Sequence, residues 1–197
     1  GLVMEFTELL AKRRSIRRFK QDEIPLDSLK QLVEAAALAP SARNDLPLRY
    51  VLVREKKLLK AVFEETAWGG NVRPHRNPAF GETAPTAFLA VCAPGKPDAP
   101  PTQNVVADAG AAIQTILLRA VELGLGACWL GAFSRKNVCA ILELNHETVV
   151  YLIGLGYPGE APELQRIHAG DSTKYYLDGN DVIHVPKYCV EDILTIR

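Results

Sequence analysis

The sequence predicts a single domain, residues 1–197, in which helices and strands alternate around a sizeable core. Three observations carry that prediction. The chain has 197 residues, no formal net charge and 48% hydrophobic content, enough for one core of ordinary size. Segments with helical apolar spacing alternate with short apolar runs bounded by Gly, Pro and Asn. The longest helical segment, about Val105 to Leu123, is apolar on almost every face, so it is buried in the core or shared with a second subunit.

The elements follow in order. Glu5–Lys12 reads as a short amphipathic helix on Phe6, Leu9 and Leu10. Pro25 opens a second helix with Leu26, Leu29, Leu32, Val33 and Ala36 at helical spacing, and Pro40 ends it. Tyr50–Val53 is a strand, followed by a helix through Leu58, Leu59, Val62 and Phe63. Residues 68–85 hold too much Gly, Pro and Asn for regular structure, and a loop this long inside a compact domain is usually functional or mobile. Thr86–Cys92 is a buried strand, and residues 94–101 form a stiff proline-rich connector. Gly124 stops the long helix. A strand at Ala127–Leu130, a helix at Ser134–Leu144 and a strand at Val149–Leu155 come next. Lys174–Leu177 and Val182–Val185 are extended, with a terminal helix or strand after Pro186.

No run of eighteen apolar residues is present, so no membrane span is expected. The first residues lack the pattern of a secretion signal. Cys92, Cys128, Cys139 and Cys189 form no C-x-x-C pair and read as small buried hydrophobes in a reducing, cytoplasmic setting. His75, His146, His168 and His184 show no metal-ligand spacing with one another or with the cysteines, so no metal site is expected.

One segment stands against the neutral background. Residues 12–20, Lys-Arg-Arg-Ser-Ile-Arg-Arg-Phe-Lys, place six cations in nine positions. Such a concentration calls for an anion: nucleic acid, an acidic surface or the phosphate of a small molecule. Arg13/Arg17 and Arg14/Arg18 are four apart and would point the same way on a helix or its continuation. Two guanidiniums with the Ser15 hydroxyl suit a phosphate dianion. A solvated basic face is the plain alternative. Nucleic acid is disfavoured, because aromatic residues do not interleave and the rest of the chain is not basic.

Two glycine motifs need weighing. Gly154-Leu-Gly156-Tyr-Pro-Gly159 matches G-x-G-x-x-G, but Pro158 and Pro162 bracket it and no helix start follows to meet a pyrophosphate. It reads as a strand ending in a turn. Gly124-Leu-Gly126-Ala-Cys-Trp129-Leu-Gly131 surrounds a short strand, where glycine permits close approach of another group. No Ser/His/Asp set, Cys/His set or carboxylate pair suggests acid–base catalysis.

Five segments in order then form a pattern: Arg-Arg-Ser-Ile-Arg-Arg-Phe, Ala-Pro-Ser-Ala-Arg-Asn, Asp108-Ala-Gly-Ala-Ala-Ile-Gln, Leu-Gly-Leu-Gly-Ala-Cys-Trp-Leu-Gly-Ala-Phe and Leu-Gly-Tyr-Pro. This resembles the short form of the FMN-dependent nitroreductase family over nearly the whole chain. The resemblance implies an α+β fold with a central, mostly antiparallel sheet flanked by helices. It also implies an interlocked homodimer with two shared FMN sites. By position, Arg13, Arg14 and Ser15 would hold the ribityl phosphate and Arg17 would reach the pyrimidine edge. Pro40, Ser41, Ala42 and Asn44 would come from the other subunit. Leu130 and Gly131 would lie along the isoalloxazine, and Lys187 of Val-Pro-Lys would add a phosphate contact. Leu46 stands where a Gln is usual and Tyr188 where a second basic residue is common.

The implied activity is transfer of two electrons from NADH or NADPH to nitroaromatic, quinone or similar acceptors. No side chain need be catalytic, since the flavin carries the hydride. Reduction of an activated alkene, dehalogenation, and flavin storage without turnover are the alternatives on the same fold. Residues 68–83, with Trp68, His75, Arg76 and Phe80, are expected to govern the acceptor.

Overall fold

The computed structural model describes residues 3–70, 72 and 77–197. In chain order its elements are α1 (Phe6–Lys12), β1 (Phe19–Lys20), α2 (Leu26–Ala37), β2 (Arg49–Val53), α3 (Lys56–Glu64), β3 (Ala87–Pro94) and α4 (Gln103–Glu122). They continue with β4 (Gly126–Leu130), α5 (Arg135–Ile141), β5 (Glu147–Pro158), β6 (Glu163–Ile167), β7 (Tyr176–Leu177) and β8 (Ile183–Tyr188). A single 3-10 turn at Val190–Asp192 follows β8.

The main sheet is antiparallel throughout. Its strands run β4–β5–β3–β2, and β1 pairs with the far end of β5. Parallel pairing is confined to a second sheet, where β6 and β7 flank β8. Strand β3 explains the layering. Its odd residues Ala87, Leu89, Val91 and Ala93 enter a core shared with α2 and α4. Its even residues Phe88, Ala90 and Cys92 enter a second core with Val62 of α3 and Val138 of α5. Both faces of the strand are covered, which is why it reads as one unbroken apolar run.

Local chemistry sets the boundaries. Thr102 caps α4 by accepting from the Val105 N–H, and Ser134 caps α5 by accepting from Asn137. At the other end of α4, Gly124 takes φ +75°, and the Leu125 and Gly124 N–H groups return to the carbonyls of Ala120 and Val121. That is a Schellman stop, and its left-handed residue strains any side chain but glycine. Helix α4 is long and apolar enough to cross a membrane. Its stripe of Ala109, Ala112, Ile113, Ile116, Leu117 and Ala120 is instead packed into the first core.

The glycine motif at 154–159 is strand. Strand β5 continues through it to Pro158 and the next element is β6, so no helix start follows. Its glycines make room for other side chains. A Cβ at Gly154 would lie 2.9 Å from both Pro85 and the Trp68 ring, and one at Gly156 would lie 2.7 Å from Phe19. Phe19 is fully buried and cannot swing away. Gly156→Ala should therefore cost about 1–3 kcal/mol by overpacking, read as a lower urea midpoint with unchanged secondary structure.

Several expectations need correction. Strands β1 and β6 lie where the sequence shows no strand pattern, and α5 ends at Ile141 rather than Leu144. Cys189 is only half-buried, unlike the other three cysteines. The largest correction concerns residues 68–85. No helix or strand forms among the described ones, but Trp68 is 5% exposed and packs edge-on to Phe19. Phe80 packs beside Phe63 against the same core. Both rings pack on the interior. The indole N–H bonds to the Thr66 hydroxyl at 2.8 Å, and Gly154 supplies the space, neither of which the loop's composition reveals. His75 and Arg76 lie outside the described residues.

Candidate functional site

The basic segment leaves the helix before its main cations. Helix α1 ends at Lys12, Arg13 has extended backbone (φ −62°, ψ 113°), and the Ile16 N–H donates to the Ala127 carbonyl beside β4. The four-residue spacing consequently does not align Arg14 with Arg18. The two separate: Arg14 Nη2 donates to the Leu10 carbonyl, whereas Arg18 lies 3.8 Å from Asp181.

Arg13 and Arg14 line a cavity of about 220 Å³ walled by Leu117, Val121, Leu125 and Ala127. Nε and Nη1 of Arg14 are buried and have no acceptor among the described residues. Burial pulls the Arg13 and Arg14 guanidiniums below their usual pKa, and Arg14 is lowered further by Arg13 and Arg166. Burial, then Arg14 and Arg13, likewise lowers Lys187. These are the signs of mutually repelling, partly dried cations. A phosphate suits them: it offers the acceptors that Arg14 lacks and the charge all four cations need. Half-buried Ser15 follows directly.

The second sheet supplies an unexpected member. Strand β8 carries Lys187, and its parallel register sets Arg166 of β6 directly opposite. Tyr188 stands where the resemblance leads one to expect a second basic residue, and Arg166 places a cation on the neighbouring strand. Spacing along the sequence could not reveal the pair, which is made by long-range strand pairing.

Arg17 stands apart from this cluster. Its backbone N–H donates to Glu160 Oε1 at 2.7 Å, and its guanidinium lies 4.9 Å from the centre of the Tyr175 ring. Cys128 is buried nearby with its thiol pushed up to about 11 by burial. Cys92 is pushed to about 12 for the same reason. Both remain protonated and inert near neutral pH.

The segment at 40–46 is strained and pinned. Arg43, Asn44 and Leu46 all have left-handed backbone, φ 55°, 55° and 50°. For residues other than glycine, each such conformation costs on the order of 1–3 kcal/mol, and it persists where surrounding contacts hold it. Here Asp108 of α4, 7% exposed, accepts from the Ala42 N–H at 2.9 Å, and Ser41 Oγ accepts from the Leu46 N–H. Pro40, Ala42 and Asn44 are exposed above a second cavity of about 270 Å³. Asp108 is the buried carboxylate of α4, whose other one, Glu122, stands at the helix end, and the sequence motif assigns Asp108 no role.

Gly131 is exposed just beyond β4, and a Cβ there would meet only Tyr151 at an ordinary 3.6 Å. Nothing in this chain alone requires glycine at that position. The Leu130 side chain is in the second core, so only its backbone can line a site. Arg13–Arg14 and Ser41–Ala42 also lie far apart. They meet α4 near Val121 and at Asp108 respectively, separated by roughly 20 Å of helix rise. The structure thus gathers Arg13, Arg14 and Lys187 but holds Pro40–Asn44 at a distance within one chain.

These features define an α+β protein with a largely apolar cavity edged by Arg13 and Arg14, further cations close by on the second sheet, and a pinned loop beside a second cavity. The Nitroreductase family model matches residues 10–157. A provisionally named NADH dehydrogenase/NAD(P)H nitroreductase of Archaeoglobus fulgidus is 34% identical over 161 residues, 78% of this chain and 86% of the relative. One of the same provisional name from Methanothermobacter thermautotrophicus is 32% identical over 164 residues, 81% and 80% of the two chains. Among solved structures, a nitroreductase family protein from Clostridium novyi NT superposes with TM-score 0.65 at 27% identity, covering 81% and 88%. A provisionally named nitroreductase from Desulfovibrio desulfuricans, solved in complex with FMN, gives 0.64 at 25% identity, covering 85% and 90%. The chain belongs to the nitroreductase family.

Proposed function

We propose that this chain is an FMN-dependent NAD(P)H oxidoreductase that passes two electrons by a ping-pong mechanism to nitroaromatic, quinone or similar acceptors. The observation that carries the reading is the set of Arg13, Arg14, Arg166 and Lys187, with two buried donors of Arg14 awaiting an acceptor. The FMN complex of the Desulfovibrio relative supports the choice of anion. When bound, FMN supplies hydride chemistry between a nicotinamide donor and an oxidised acceptor.

This chain's own residues then bind and orient. Arg13, Arg14, Ser15, Arg166 and Lys187 hold the phosphate. Arg17, fixed by Glu160 and backed by Tyr175, stabilises negative charge on the pyrimidine edge. Gly131 keeps side-chain bulk away from the ring and offers its N–H, and Leu130 contributes backbone. Pro40, Ser41, Ala42 and Asn44 are assigned to the site of a second copy, because one chain separates them from the phosphate cluster along α4. A homodimer with shared sites follows. It would also cover the half-buried Gly110, Ala111 and Leu118 on the outer side of α4. A cytoplasmic setting suits a nicotinamide-dependent reaction.

The test has two parts. Purified protein should be yellow, release FMN on heating, and oxidise NADH or NADPH faster when a quinone is added. Arg17→Ala should lower the flavin midpoint potential while keeping the cofactor. Protein that cannot be reconstituted with FMN overturns the reading, and flavin-loaded protein without turnover reduces it to a storage module.

A further inference from the structure

Beyond the main sheet, the chain gathers a second set of chemically versatile side chains. His168 follows β6 and Cys189 follows β8, and the parallel register that pairs Ile167 with Tyr188 brings them side by side. The Cys189 N–H donates to the Ile167 carbonyl at 3.0 Å, fixing the two strand ends together. Cys189 then starts the 3-10 turn Val190–Asp192, which returns Glu191 and Asp192 to the same place. His168 Nδ1 lies 2.9 Å from Asp192 Oδ2. One ligand atom from each of His168, Cys189, Glu191 and Asp192 lies within 4.8 Å of all the others.

We propose that these four side chains form a binding site for one divalent transition-metal ion, of the Zn²⁺ class. The donor set decides the class. One imidazole, one thiolate and two carboxylates match the borderline-soft preference of Zn²⁺, whereas Mg²⁺ and Ca²⁺ favour oxygen alone. Four ligands within 4.8 Å of one another need only small side-chain rotations to reach a tetrahedral shell, with metal–ligand bonds of about 2.0–2.3 Å. The cluster comes from two strand ends and a turn whose backbones are already bonded to each other, so little chain ordering remains for the metal to induce. Cys189 suits the role because it is the half-buried thiol, while Cys92, Cys128 and Cys139 are enclosed in the core.

The site has a place in the fold. Arg166 and Lys187 each precede it by two residues on β6 and β8. A metal at the strand ends therefore clamps the small sheet just beyond its two cations. This inference does not depend on the proposed flavin chemistry, and its test reads metal directly.

Co²⁺ titrated into the metal-free, otherwise intact protein serves as the probe. The expected result is one equivalent bound per chain, with thiolate-to-metal charge-transfer and d–d bands in difference spectra. Zn²⁺ should abolish both. Cys189→Ser should remove the charge-transfer band. His168→Ala should weaken Co²⁺ binding by more than the roughly 10- to 100-fold that loss of an outer-shell partner costs. His184→Ala should change nothing. Absence of a thiolate band in the wild-type protein, or its persistence in Cys189→Ser, overturns the proposal.

Discussion

Replacing Trp68 with alanine should destabilise the protein by about 3–5 kcal/mol, the range for removing a large buried aromatic side chain. The indole is 5% exposed, stands edge-on to Phe19 with centroids 6.5 Å apart, and has its N–H satisfied by Thr66. It also shares the notch above Gly154 with Pro85. Urea unfolding of wild type and Trp68→Ala measures the difference, and Trp68→Phe should recover part of it. Native stability with altered acceptor kinetics would instead restore this loop as an acceptor-facing lid.

The second large effect concerns the cation cluster. Arg14→Ala should weaken FMN binding by about ten- to a hundred-fold, because each charge-assisted hydrogen bond contributes roughly 1.5–3 kcal/mol. Fluorescence titration of apoprotein with FMN reads this directly, and unchanged affinity would remove Arg14 from the site. The same titration across pH tests Lys187, whose pKa is lowered by burial, Arg14 and Arg13. A bound phosphate raises that pKa again. Affinity should therefore be full while pH stays below the lowered value and should fall as pH rises through it. Lys187→Arg should flatten the fall, because a guanidinium stays charged.

What could be read from the sequence depended on how local the cause was. Helix α4 and strand β3 are legible because their burial is written in consecutive residues, and Gly124 marks a stop that only glycine makes easily. The resemblance placed Arg13, Arg14 and Lys187, which the structure brings together. Arg166 stayed hidden because its relation to Lys187 exists only across the β6–β8 ladder. The adjacency of His168 and Cys189 stayed hidden for the same reason. The spacing of Arg14 and Arg18 misled because α1 stops at Lys12 and its periodicity goes no further. Trp68 misled in the opposite direction: the glycines beside it suggest surface, while Phe19 and Gly154, which enclose it, come from two distant parts of the chain and Thr66 alone is local.

Helix α4 touches the cation cavity near one end and fixes the 40–46 loop through Asp108 near the other. That makes it a gauge as well as a core element. A substitution on its half-buried side leaves the gauge intact, whereas one inserted residue turns everything beyond it by about 100° and advances it about 1.5 Å. Descendants of this sequence are therefore held more tightly to the number of residues between those two contacts than to the identity of any one half-buried residue there.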